Sequence, residues 1–384
     1  MELALIRHDL TAGWSQGALP TLDSPSTLVL VFGAPEYFDR PGAIDELVAA
    51  YPQGQVIGCS TAGEIFGTKI YDRSLACAVV RFDRTRIAAA SLPIAAASDS
   101  EATGRALAEA LAGDDLRGVF VLSDGLGVNG TELARGLASA LPPAVVVTGG
   151  LAGDGDRFAR TWVLHGGRPR SGVVAAVGLY GDHVRIGHGS RGGWDPFGPR
   201  RQVTRSAGNV LYELDGRPAL QLYKEYLGDR AEGLPATGLL FPLALSTGDD
   251  ERPIVRTILA VDEAESSLTF AGDIPTGARA QLMKANFDRL IEGAEEAGEG
   301  ARATLGLDGV TPAGDVLALA ISCVGRRLVL AGRTEEEIEA TREVLPEGAA
   351  QLGFYSYGEL SPNVSGPCEL HNQTMTLTTL CEVE

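Results

Sequence analysis

The sequence is short of cations. Its 384 residues carry 32 Lys and Arg against 50 Asp and Glu, a formal net charge of −18. No run of basic residues exceeds a pair such as Arg200-Arg201, whereas a nucleic-acid binder shows a basic stripe. Nucleic acid and anionic membranes are therefore set aside as partners. Cysteine is also sparse: Cys59, Cys77, Cys323, Cys368 and Cys381, an odd number with no C-x-x-C pair. That fits a reducing, cytoplasmic compartment better than a disulfide framework. The five histidines form no HExxH and no Cys/His zinc spacing, so no metal site is expected. The absence of C-x-x-C-H excludes covalently attached haem. No apolar run approaches the ~20 residues of a membrane span; the longest, Val173–Tyr180, reads as a buried strand. The N-terminus lacks the basic-then-apolar pattern of a signal peptide. There is no Walker loop. Gly149-Gly150 follows a strand, but a further strand at Thr161 stands where a dinucleotide-binding helix would be.

What is present is ordinary globular material, 45% hydrophobic and 21% charged, enough for two to three units at ~150 residues each. One pattern recurs. Thr27–Phe32 reads as a buried strand. A helix follows with Pro41 in its first turn, then Pro52, then the strand Gln55–Cys59, which breaks into Ser60-Thr61-Ala62-Gly63-Glu64. The order repeats at Gly118–Leu122, a helix with Thr131 as expected N-cap, Pro142-Pro143, the strand Ala144–Thr148 and Gly149-Gly150-Leu151-Ala152-Gly153-Asp154. It repeats again at Val316–Cys323, a helix opened by a Thr334/Glu337 capping box, Pro346, the strand Gln351–Tyr355 and Ser356-Tyr357-Gly358-Glu359-Leu360. Ala271-Gly272-Asp273-Ile274 is a weak echo with no such helix before it, and Asp273 is the first acid to leave aside. Leu75–Phe82 and Arg86–Leu92 suggest a hairpin. Thr161–His165, Ser171–Tyr180 and His183–Gly187 suggest a meander. Glu292–Gly300 reads as a solvated acidic helix end or loop. The fold class is α/β: two related domains with mixed sheets flanked by helices and an internal strand–helix–strand repeat, divided near Asp215 into 1–214 and 215–384.

The stretches GCSTAGEI (58–65), GGLAGD (149–154), VTRSAGNVLYELDGRPALQLY (203–223), CVGR (323–326), GFYSYGEL (353–360) and ELHNQTMTL (369–377) resemble those of FIST proteins, in the family's order and over roughly residues 27 to 380. The resemblance implies N-terminal and C-terminal FIST regions in a cytoplasmic sensory module of signal transduction that binds a small molecule, with amino acids suggested as ligands. Other members join these regions to kinase, chemoreceptor or F-box parts. No such part is found here, so signalling would run through a separate output protein such as a kinase. Some members are described as haem-binding nitric oxide sensors. That makes haem, with His188 or His371 as axial ligand, the alternative to a protein with no cofactor.

The candidate ligand-binding residues cluster at the strand-end corners. Cys59, Ser60, Thr61 and Glu64 offer a thiol, hydroxyls, turn amides and a carboxylate; an amino acid would place its carboxylate on the former groups and its ammonium on the acid. Gly63 permits positive φ or close approach. Gly149, Gly150 and Asp154 stand in the second copy. Tyr355, Tyr357 and Glu359 stand in the third, where the tyrosines would wall a pocket. His371 and Asn372 belong to a polar run in a strand-like tail. The bland reading is three tight turns whose acids satisfy their own backbone, with core tyrosines and inert thiols. A Ser60, Asp154, His371 order also matches a hydrolase triad on paper, and this serine hydrolase is the enzyme alternative.

Overall fold

The computed structural model describes residues 1–248, 253–307, 309–362 and 366–384. Its organising feature is a unit that occurs three times. Each has an edge strand, a parallel strand pair joined by helical segments, a short hairpin and a third antiparallel strand. The parallel pairs are Thr27–Gly33 with Gln55–Ser60, Leu116–Ser123 with Val146–Leu151, and Leu317–Cys323 with Ala350–Ser356. Parallel neighbours need a crossover, which a helix supplies. The helices are α1 (Gly42–Ala50), α2 (Ser100–Ala110), α3 (Gly130–Ala140), α4 (Ala219–Leu227), α5 (Phe287–Leu305), α6 (Val324–Leu330) and α7 (Thr334–Val344). Helix α1 crosses over in unit 1, α3 in unit 2, and α6 with α7 in unit 3. The first strands read as unbroken apolar runs because both of their faces are covered; every residue of Thr27–Gly33 and Leu317–Cys323 is buried.

The three sheets have one strand order, and each is completed by a neighbour. The hairpin of unit 1, Glu64–Phe66 and Lys69–Tyr71, pairs with Ala350–Ser356 of unit 3. That of unit 3, Gly358–Pro362 and Cys368–His371, pairs with Val146–Leu151 of unit 2. That of unit 2, Val163–His165 and Arg168–Arg170, pairs with Gln55–Ser60 of unit 1. The exchange closes a ring. Three matching hydrogen bonds mark its centre: Ala62 N to Tyr355 O, Gly153 N to Ser60 O, and Tyr357 N to Leu151 O.

Residues 194–285 form a different part between the edge strand Val184–Arg191 and α5. It is an eight-stranded, largely antiparallel sheet carrying α4, with its own core around Leu211, Leu220, Tyr223, Ile258, Leu268 and Phe270. Trp194–Ala207 pairs both with Val210–Leu214 and with Arg279–Ala285. A division between 214 and 215 passes through this sheet.

Several local expectations are corrected. Ser74–Arg81 and Arg86–Pro93 do not pair with each other but enter different sheets. The bend between them is held by Glu382, which accepts from the amides of Asp83, Arg84 and Thr85. The supposed meander is likewise dealt out to three sheets. Glu292–Gly300 lies inside α5, whose buried face is Leu290, Gly293, Ala294, Ala297, Gly298 and Ala301. A Cβ on Gly187 or Gly189 would lie 2.1 Å from the carbonyl of Ala301 or Ala297, so the glycines flanking His188 exist for helix approach. No side chain caps α7; Glu337 turns into the core instead of closing a capping box.

Candidate functional site

The predicted corners sit where each unit hands its hairpin to the next. All twelve predicted residues except the half-buried His371 are buried. Glu64 accepts from the Thr61 hydroxyl on one oxygen, and from the amide (3.0 Å) and hydroxyl (2.7 Å) of Ser74 on the other. Glu359 repeats this arrangement: Ser356 Oγ on one oxygen (2.6 Å), and Thr374 N (3.3 Å) and Oγ1 (2.8 Å) on the other. Burial pushes both carboxyls up to about 8 against the lowering effect of these donors. Asp154 is not their counterpart. The three central hydrogen bonds align Glu64 with Gly155 and Glu359, one residue beyond Asp154. Asp154 instead accepts from the Tyr357 hydroxyl and from the amides of Ala159 (2.9 Å) and Arg160 (2.8 Å).

The remaining predicted residues are also held by the protein. Ser60 Oγ accepts from Trp162 N. Burial holds the Cys59 thiol well above its ordinary range. Gly149 and Gly150 lie within a strand, opposite Leu360 and Glu359. Tyr355 donates to Glu337, and Tyr357 stacks on Phe158. His371 donates from Nε2 to the Ser361 carbonyl, and burial pushes its pKa down to about 4. Asn372 donates to Tyr357 O. Ser60, Asp154 and His371 each bond elsewhere, so they form no proton relay. Gly63 has φ +128°, and its missing Cβ makes room for Arg327, which donates to Ala62 O. These corners fasten units together, and the carboxylates of Glu64, Asp154 and Glu359 are filled from within; Asn372 Oδ1 is buried without a partner among the described residues.

A cavity of about 380 Å³ opens elsewhere, between α3 of unit 2, the eight-stranded sheet and Cys368–His371. That volume lies within the range of small-molecule sites. Its apolar wall includes Ala134, Ala138, Leu245, Ile254, Pro275 and Leu370; its polar groups are Thr131, Arg135, Thr247, Arg256, Asp273 and Glu369. The N-cap of α3 is Asn129, not Thr131: Asn129 Oδ1 accepts from the amides of Thr131 and Glu132. Thr131 Oγ1 is thereby released to accept from Asp273 N and Arg256 Nη2. Asp273, set aside on sequence, is central here. Its carboxylate accepts from Asn129 Nδ2 (2.8 Å) and Arg135 Nη2 (2.9 Å), stapling its loop to α3. Arg256 is only 5% exposed. Its guanidinium donates to the carbonyls of Asp273 (3.3 Å) and Leu370 (3.0 Å). Burial lowers its pKa to about 10, opposed by the charges of Asp273 and Glu369. It remains a cation at neutral pH. No sequence signal singled out Arg256: a lone Arg in a strand carries no motif, and its burial comes from packing against Leu370, 114 residues away.

Neither His188 nor His371 lines this cavity. Among the described residues, no group of three or more His, Cys, Asp or Glu is placed to hold a metal ion, and no helix is long and apolar enough to cross a membrane.

The chain is thus a repeated α/β body carrying an inserted sheet, with a cavity between them. The FIST N domain matches residues 27–217 and the FIST C domain residues 219–362, and the chain belongs to the FIST family. FIST domains are generally sensory domains in signal transduction. Two uncharacterized proteins of Mycobacterium tuberculosis, from strains CDC 1551 and H37Rv, are each 25% identical over 244 residues, 61% of this chain and 61% of theirs. The match thus spans about three fifths of these curated relatives. Cyanuric acid hydrolase from A. caulinodans aligns over 99% of both chains, at 10% identity and a TM-score of 0.38. A second cyanuric acid hydrolase structure gives 10% identity and a TM-score of 0.32.

Proposed function

We propose that this protein senses a small metabolite, bound in the cavity between α3 and the eight-stranded sheet, and signals through a separate output protein. The observation that carries this reading is a buried, charged Arg256 in the wall of an otherwise apolar cavity. An amino acid is the first class to screen, because a carboxylate would meet Arg256. The five cysteines are all buried and unpaired, which supports action in a reducing, cytoplasmic setting. The ligand would act by binding one arrangement of α3 and the inserted sheet more tightly than others, shifting the population a partner reads.

The test is a thermal-shift screen of amino acids and related metabolites on the full chain. A ligand at 100 times its Kd should stabilise the protein by about 2.7 kcal/mol. Ala138 lies on the half-buried face of α3 toward the cavity, and Ala138→Trp is expected to fill the space and abolish the shift. A hit that binds Ala138→Trp unchanged places the ligand elsewhere.

A further inference from the structure

An arginine buried to this extent is normally ion-paired, because removing an unpaired charge from water is costly. Among the described residues, no carboxylate lies within ion-pair distance of Arg256; its hydrogen-bond partners are backbone carbonyls and the Thr131 hydroxyl. The backbone is shaped to this guanidinium. A Cβ on Gly272 would come within 3.0 Å of Arg256 Nε and 2.5 Å of Thr131 Oγ1. The nearby acids are committed. Both oxygens of Asp273 are bonded, by Asn129 and Arg135, and Glu369 is not without a partner. Among the described residues Arg256 therefore has no carboxylate of its own in direct contact, although the charges of Asp273 and Glu369 act on it. Beyond the guanidinium one wall is aliphatic, formed by Ala134, Ala138, Leu245 and Ile254.

Resting on the cavity reading above, we propose that the ligand is a small aliphatic monocarboxylate whose carboxylate pairs with Arg256, and that an amino group is not required. The carboxylate completes the arginine's coordination at Nη2, where only the long 3.4 Å contact to Thr131 is made. The aliphatic body lies along α3. Guanidinium–carboxylate pairing in a desolvated site is among the stronger polar contacts a protein makes.

Four probes of one carbon skeleton decide the matter by calorimetry on the full chain: 4-methylpentanoate, leucine, 4-methylpentan-1-amine and 4-methylpentan-1-ol. The carboxylate is expected to bind at least as tightly as leucine, and the amine and alcohol roughly 30-fold or more weakly. Arg256→Gln should remove that preference. Arg256→Lys keeps the charge and retains most of it, which separates lost recognition from lost folding. Amine or alcohol binding as tightly as the carboxylate, or no binding by 4-methylpentanoate at all, overturns the ligand class. The cavity reading fails separately, if a hit from the metabolite screen survives Ala138→Trp.

Discussion

Between pH 6.5 and 8 the protein is expected to lose roughly 3 kcal/mol of stability, and the Glu64→Gln/Glu359→Gln double variant to lose most of that dependence. Burial raises each carboxyl from 4.5 to about 8 in the folded chain. Between those values the folded protein holds protons that the unfolded chain has released. Stability therefore falls as pH rises, at about 1.4 kcal/mol per pH unit for each group until the folded pKa is reached. His371 acts in the opposite sense. Its folded pKa is lowered from 6.5 to about 4, so its contribution is complete above 6.5 and declines as pH falls toward 4. The two effects partly cancel below pH 6.5, which makes the alkaline side the clean window. Glutamine suits the neutral site. Its carbonyl accepts both Ser74 donors, and its amide donates to Thr61, as a protonated Glu64 would; Thr374 in the place of Ser74, and Ser356 in the place of Thr61, give the same fit at Glu359. Urea melts of wild type and double variant at pH 6.5 and 8 provide the check. Equal pH dependence in both proteins would show that the carboxyls are ionised in place. Alanine at either position leaves two or three buried donors unpaired and is expected to cost several kcal/mol at any pH.

The sequence made the strand–helix–strand repeat legible, together with most strand positions and the corners that end the second strands. These signals are local: unbroken apolar runs, prolines after helices and glycines beside acids. It did not reveal that each corner hands its hairpin to another unit, because residues 64–66 find their partners at 352–354 and no short-range pattern encodes such pairing. That long-range closure also explains why the corner acids are filled. A chain crossing between sheets leaves buried turn amides and hydroxyls, and a carboxyl at that point is the most compact group able to accept from all of them. Asp273, one of the two acids that line the cavity, had the weakest sequence context. Its role comes from a loop of the inserted sheet meeting the α3 N-terminus 144 residues away.

The second large effect is expected at Arg326. Arg326→Met should destabilise the protein by about 3–5 kcal/mol, and Arg326→Met/Glu337→Gln should recover a substantial part. Arg326 and Glu337 form an ion pair with both side chains fully buried, Nε and Nη2 donating to Oε2 at 2.9 and 2.8 Å. Oε1 of Glu337 accepts from Ser322 and Tyr355. Removing the arginine alone strands a carboxylate in the core. Replacing Glu337 by glutamine removes that charge and keeps an acceptor for Ser322 and Tyr355. The pair also has a place in the architecture. Arg326 donates to the carbonyls of Gly192, just before the chain enters the inserted sheet, and Leu290, just after it leaves. Trp194 adds a bond to Gln373 O at the same joint. Neither variant replaces those two arginine donors, so both should open this joint more often. Amide exchange read at Trp194 and at residues 287–294 is therefore expected to quicken in the single and double variants alike, whereas global stability separates them. Exchange at the joint that tracks global stability alone would mean that Arg326 acts only through its charge partner and does not clamp the inserted sheet to the three-unit body.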